Sequence, residues 1–476
     1  MKKGLMGGTY KVLSDSEIER IHQASLRLLQ EHGMKSDSDV ILDIFQRGGA
    51  LVDRNTRVIR LSPDMVEAAL QSAPKSFVLH GRDPEMDILL EPGRVYYGMG
   101  GSPEPFIYDY ASNGPRQPTK ADMVNCTRVG QALTHIDFIM ALCSAGDTPE
   151  DAQYHHEYDA IFRNTTKPVI YTAPLRKHAA KYLEMAIAAS GGETAFRQRP
   201  WIVFFTQPVS PMQISHYSET MLDAAEFGVP ILSSPGPMMG ATSPASLAGT
   251  LAQVNAEALL GIVLSQLIKQ GTPVIYAPHT GVMDMVTAQC TYGSPEQSVA
   301  RAAVAQLGIH YQLPTFGLGG GVEAKLPDAE AASEAMMGML LNGLSGMTLT
   351  QTLGTLASGL YGAAEMAVIC DELAYMIKRI LRGVTVNDDT LALDVIQEVG
   401  HGGHYLATDH TARMFREELF FPSLFKRQPI QKWQERGSKS MSQVAHERVQ
   451  EILAKAGPVP LPDGADAALE RALRTA

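Results

Sequence analysis

PVIYAPHTGVMDMVTAQCTYGSPEQSVARAAVAQLGIHYQLPTFGLGG, residues 273–320, holds a β-rich segment, a loop, a helical segment and a second β-rich segment. Each β-rich piece opens with a proline, Pro273 and Pro314. Proline cannot continue a helix and is tolerated as the first residue of a strand. The stretch therefore reads as strand, helix, strand, the unit that builds a parallel sheet. The same rhythm extends in both directions. It gives VYYGMG (95–100), IDFIMAL (136–142), PVIYTA (168–173), WIVFFTQ (201–207), PILSSP (230–235), PVIYAP (273–278), PTFGLGG (314–320) and GMTLTQT (346–352). Eight such units predict an α/β fold, a TIM (β/α)8 barrel with N-terminal and C-terminal helical extensions. A doubly wound sheet is the alternative, but no G-x-G-x-x-G stands at the first strand–helix junction. The expected divisions are an N-terminal extension over 1–93, the barrel over 94–384 and a C-terminal helical extension over 385–476.

Composition narrows the function. Apolar residues make up 45% of the 476, charged residues 19%, and the net charge is −11. Without a Lys/Arg block, nucleic acid is not an expected partner. Cys126, Cys143, Cys290 and Cys370 show no C-x-x-C spacing, which argues against a zinc site and a disulfide framework. No apolar run approaches membrane-spanning length, and MKKGLMGGTYKV has no signal-peptide core. The expectation is a cytoplasmic protein with no membrane partner.

In a barrel of this kind the chemistry gathers at the C-terminal ends of the strands. The strand ends and the segments after them supply Tyr97, Phe106, Tyr171, Phe205, Gln207, Tyr276, His279, Gln351 and Tyr361 as candidate substrate-binding residues. Glu104 lies in SPEPFIYDY after the first strand. Many aromatics with few basic groups suit a cationic ligand that cannot donate hydrogen bonds. The run Gly319, Gly320, Gly321 ends the seventh strand and marks a tight turn or a close ligand approach. A phosphate site is the competing reading, although Glu323, Asp328 and Glu330 would repel the anion. HGGH, with His401 and His404, is a weak metal signal on its own, and no metal is expected. No G-x-S-x-G occurs, and no residue is assigned a catalytic role.

Four segments together resemble one family: SDSEIERIHQASLRLLQEHG, GGGVEAKLPDAEAASE, GLYGAAEMAVICDELAYMIKRILRG and GGHYLATDHTARMFREELFFPSLFKR. In their order and spacing they look like the MttB-type trimethylamine:corrinoid methyltransferases. The resemblance implies a TIM barrel that passes a methyl group from a methylamine to a corrinoid (cobalamin-type) carried by a partner protein. Founding members carry pyrrolysine, and this chain has only standard residues. It therefore resembles the branch acting on quaternary amines, with glycine betaine the expected substrate. On this reading Gly319, Gly320, Gly321, Glu323, His401 and His404 face the partner's corrinoid, no cofactor is bound permanently, and the protein is a homo-oligomer. A betaine-binding barrel without catalysis is the alternative within the same resemblance.

Overall fold

A computed structural model describes residues 1–474; the last two residues of the expected C-terminal extension lie outside those described. All eight expected strands form: β1 (Arg94–Met99), β2 (Phe138–Ile139), β3 (Val169–Thr172), β4 (Ile202–Thr206), β5 (Ile231–Ser233), β6 (Val274–Tyr276), β7 (Phe316–Leu318) and β8 (Leu349–Leu353). Parallel ladders join them in the order β6-β5-β4-β3-β2-β1-β8-β7. The β6–β7 seam closes the ring through a bridge between Tyr276 and Thr315, with the Tyr276 amide donating to the Pro314 carbonyl at 2.9 Å. A helix follows every strand: α1 (Lys120–Ala132), α2 (Gln153–Phe162), α3 (Arg176–Ala189), α4 (Thr220–Phe227), α5 (Leu247–Ile268), α6 (Pro295–His310), α7 (Ala329–Ser345) and α8 (Ala364–Leu381). Local signals set their ends. Ser294 caps α6 through the Gln297 amide, with Pro295 in the first turn. Asp328 caps α7, and Gly346 ends it at φ 84°.

The interior is a packed core. Tyr96, Phe138, Ile170, Val203, Leu232, Ile275, Phe316 and Leu349, one from each strand, fill the barrel together. The hairpin Phe77–Leu79/Ile88–Leu90 belongs to the N-terminal extension and plugs the lower end of this core. The Tyr96 hydroxyl donates to the Leu89 carbonyl at 2.8 Å and fixes the plug. The hairpin thus closes the lower end of the barrel interior.

α5 is apolar all round and by length and composition could cross a membrane. Its environment gives another cause. The barrel covers its inner face, and helices Asp15–Arg27, Asp39–Arg47 and Pro63–Ser72 of the extension cover its outer face, so 78% of its apolar window is buried. A helix buried on two sides has no reason to keep a polar stripe.

The C-terminal residues divide in two. Helix Met441–Lys455 packs on α8 and α1, and helix Ala465–Arg474 packs on α3. Residues 385–421 instead form an arm whose helices Asp388–Leu391, Leu393–Val399 and Asp409–Glu418 bury none of their residues.

The layered core predicts a contrast. Ile170→Ala should lower unfolding stability by about 2–5 kcal/mol, because it leaves a cavity where the interior cannot relax. Leu51→Ala, at an exposed site, should change it by less than about 0.5 kcal/mol. Urea denaturation of both variants checks this.

Candidate functional site at the barrel mouth

The site begins with the glycine run after β7. Gly319, Gly320 and Gly321 are buried, and none takes a positive φ. Their smallness is demanded by neighbours. A Cβ on Gly319 would overlap Thr350 Cγ2 and lie 2.8 Å from Asn342 Nδ2. On Gly320 it would lie 2.7 Å from the Leu353 Cα, and on Gly321 2.9 Å from the Tyr292 ring. These atoms belong to β8, α7 and the β6–α6 connection, so the run is glycine because the seventh and eighth strands pack without a gap. Packing between the strands is by itself sufficient cause for the three glycines. The phosphate reading loses its donors as well. Gly319 and Gly320 donate their amides to the Gln351 carbonyl, both at 3.1 Å, and Gly321 donates to Thr352 Oγ1 at 2.9 Å.

β8 carries one extra residue opposite β1: Thr350 pairs with Tyr97 and Leu353 with Met99. The bulge places Thr352 at φ 68°, where a β-branched residue is rarely found. The Thr352 amide donates to the Gly100 carbonyl at 2.8 Å, and its hydroxyl receives the Gly321 amide. Gln351, two residues beyond the inward Leu349, then stands at the mouth with its side chain 7% exposed and its Oε1 unpartnered.

Strand parity removes three of the expected aromatics. Tyr97, Tyr171 and Tyr276 each sit one residue from an inward position and point into the helix layer. There Tyr97 donates to the Met339 carbonyl at 3.2 Å, Tyr171 to Glu157 Oε2 at 2.6 Å and Tyr276 to Asn255 Oδ1 at 2.7 Å. Tyr361 donates to the Lys325 carbonyl and pairs with Phe106 in a small sheet beside the mouth. None of these five lines the mouth pocket.

Phe205, Gln207, His279 and Gln351 do reach the mouth. Phe205 and Gln207 alternate inward on and just past β4, and with Thr172, Gly236 and Met238 they line a pocket of 540 Å³. Gly236 brings two polar groups together: Gln207 Nε2 lies 3.0 Å, and the His279 ring 3.3 Å, from where a Cβ would stand. His279 meets Tyr292 edge to face at 6.2 Å. Burial, reinforced by the nearby Arg301 charge, lowers its pKa to about 3, so the imidazole is neutral at physiological pH. Tyr292 was not legible as a site residue, because it lies in a long connection outside any strand. The only trace it leaves is the pair of glycines it packs against, Gly321 and Gly359.

Glu323 is at the rim but engaged: its carboxylate accepts the Tyr292 and Gly293 amides and ties the β6–α6 connection to the β7–α7 connection. His401 and His404 are exposed on the C-terminal arm. That arm is rooted at the opposite end of the barrel. Lys378, in the last turn of α8, bonds Asp137 at the start of β2 at 2.9 Å, and Arg379 donates to the Glu418 carbonyl of the arm at 2.7 Å. The two histidines are not brought to the mouth.

Gly320→Val tests the packing account. It should cost about 1–3 kcal/mol through overpacking and lower melting temperature and ligand binding together. A variant that keeps its melting temperature and binding but loses turnover would instead place this glycine against a reaction partner.

With this geometry in hand, similarity to known proteins can be stated. Residues 5–475 match the family described as trimethylamine methyltransferase (MTTB). The chain is 37% identical to the trimethylamine methyltransferase MttB of Desulfitobacterium hafniense over 455 residues, 94% of this chain and 90% of that one. It is 32% identical to a glycine betaine methyltransferase of Desulfitobacterium hafniense over 467 residues, 97% and 96% of the two chains. Among solved structures, the Methanosarcina barkeri monomethylamine methyltransferase MtmB aligns with 95% of this chain and 96% of its own at 12% identity, with a TM-score of 0.46. The whole-chain match and the level of identity make this protein a member of the MttB family of methyltransferases.

Proposed function

We propose that the protein transfers a methyl group from a quaternary amine of the betaine type, glycine betaine foremost, to the Co(I) corrinoid of a partner protein. The observation that carries the reading is the lining of the mouth. Phe205, Tyr217 and Gln207 line the mouth pocket, and neutral His279, packed on Tyr292, meets Gln207 beside Gly236, so the mouth offers apolar faces and uncharged polar groups. A quaternary ammonium suits such a lining, since its leaving group is a neutral tertiary amine and no acid is needed to expel it. The corrinoid supplies the nucleophile when its carrier docks. The residues of this chain bind the amine, aim one methyl outward and limit water around it. For a betaine carboxylate, the Gln207 amide and the His279 N–H are available donors beside Gly236. The Co(I) state requires reducing surroundings, which supports a cytoplasmic location.

Purified protein, mixed with a Co(I) corrinoid carrier and each amine in turn, should convert the cobalt spectrum to that of methyl-Co(III) fastest with a quaternary amine. Faster conversion by trimethylamine than by every betaine would overturn the substrate assignment.

We infer a homo-oligomer from the arm. Val384 is 85% and Leu406 86% exposed, and Leu393, Ile396, Leu419 and Phe421 are also exposed. Short helices without a buried face do not persist alone in water. The chain exposes 20088 Å², against about 17,000 Å² for a compact monomer of its mass, an excess large enough for a stable interface. Light scattering should give a multiple of the chain mass, and Ile396→Glu with Leu406→Glu should reduce it to one chain. A wild-type monomer would refute the inference.

A further inference from the structure

Beyond the C-terminal end of β1, within electrostatic reach of Tyr292, stands a buried carboxyl group without a cation. Glu104 follows β1 and is 4% exposed. Its Oε1 accepts one hydrogen bond, from Thr355 Oγ1 at 3.2 Å. Among the described residues no Lys, Arg or His forms an ion pair with it. Gln351 stands beside it. A Cβ on Gly101 would lie 3.3 Å from Thr352 Cγ2, 3.4 Å from Glu104 Oε1 and 3.8 Å from Gln351 Oε1, so two acceptor oxygens converge on one spot beside a methyl group. The Gln351 oxygen is buried and has no partner. Buried acceptors are normally satisfied, and two of them facing one space need a donor or a positive charge between them. Gly101, by lacking a side chain, leaves that space open.

We propose that Glu104 is the counter-ion for the ammonium group of the substrate, with Gln351 as the positioning residue beside it. The assignment rests on the methyl-transfer reading above and names the residue that would recognise the charge. It also defines a proton cycle. In the empty site, burial raises the Glu104 pKa well above the ordinary carboxyl value, which favours the protonated form. Cys143 after β2 and Tyr292 before α6 are the titratable groups that feel its charge, and burial keeps both neutral at pH 7. A bound ammonium replaces the proton as the compensating charge, and one proton leaves to solvent. Methyl transfer breaks the N–CH3 bond, leaves the electron pair on nitrogen and forms the bond to cobalt with the electron pair of Co(I). The amine is then neutral, Glu104 is again a buried charge without a partner, and it takes a proton from solvent as the product departs. Because the carboxylate stabilises a charge that disappears during transfer, it strengthens substrate binding more than the transition state.

The test uses the wild-type protein and Glu104→Gln with two ligands of one shape: glycine betaine, and 3,3-dimethylbutanoate, in which carbon replaces the cationic nitrogen. Calorimetry at pH 7 in buffers of different ionisation enthalpy measures affinity and proton release. Wild type should release about one proton on binding betaine and none on binding the isostere, whose head group is uncharged. Glu104→Gln should abolish the release, weaken betaine binding at least tenfold, leave isostere binding unchanged, and raise KM with little loss of kcat. Absence of proton release in wild type would overturn the assignment without any variant, so a misfolded Glu104→Gln cannot shelter it. Equal betaine affinity in wild type and variant would overturn it while leaving the methyl-transfer reading in place. A wild type that binds no methylated ammonium, with tetramethylammonium and protonated trimethylamine as further probes, would end both.

Discussion

The mouth depends on one residue too many in the eighth strand. β8 pairs with β7 on one side and β1 on the other, and the two neighbours demand different registers beyond Thr350. The bulge resolves the conflict by holding Thr352 in the left-handed region, a strain of about 1–3 kcal/mol. The hydrogen bond from Gly321 to Thr352 Oγ1 and the glycine packing against Thr350 and Leu353 offset it. The result is a re-aimed Gln351 and a seam tight enough that only glycine fits after β7. The feature that most resembles a ligand site in the sequence is thus the support for one.

Below that layer the barrel offers nothing to a ligand. The eight inward side chains and the N-terminal hairpin fill it, and the Tyr96 hydroxyl points down to the plug. A substrate therefore sits shallowly, on top of a rigid floor. That placement suits a reaction in which a second protein must bring its reactive atom to the substrate, because the reacting carbon has to stay near the surface. The hairpin Phe77–Leu79/Ile88–Leu90 and helices Asp15–Arg27, Asp39–Arg47 and Pro63–Ser72 belong to the same structure as that floor: without them the floor would open and α5 would be uncovered.

The sequence was legible where chemistry is local. Strand-opening prolines, β-rich runs and helix caps mark the eight units, and all eight strands form where those signals stand. Facing was not legible. Tyr96 and Tyr97 are neighbours of the same type, and one turns inward while the other turns to α7, because parity is fixed by the register with β8 and by the pairing of Leu349 with Tyr96. The same parity separates Phe205 from Tyr171 and Tyr276. Tyr292 was obscured for another reason: it reaches His279 from a connection, whose path depends on tertiary contacts that no periodicity encodes. His401 and His404 stand exposed on the arm, and a histidine pair in a glycine-rich segment reads the same in sequence whether it lines a site or an exposed arm.

The scarcity of aromatics at the mouth changes how a cation can be recognised there. An aromatic cage needs several faces, each contributing about 0.5–2 kcal/mol; with Tyr97, Tyr171, Tyr276 and Tyr361 turned away, Phe205 and Tyr217 line the pocket and Tyr292 stands against His279. These faces give shape and affinity, but none of them carries a formal charge to oppose the ammonium. Gln207 and His279 carry no charge and serve an anionic end better than a cationic one. Discrimination for positive charge therefore falls to the carboxyl group beyond the end of β1. A permanently ionised carboxylate in so dry a place would be costly without a partner, whereas one that holds a proton until a cation arrives meets that cost only when the cation offsets it.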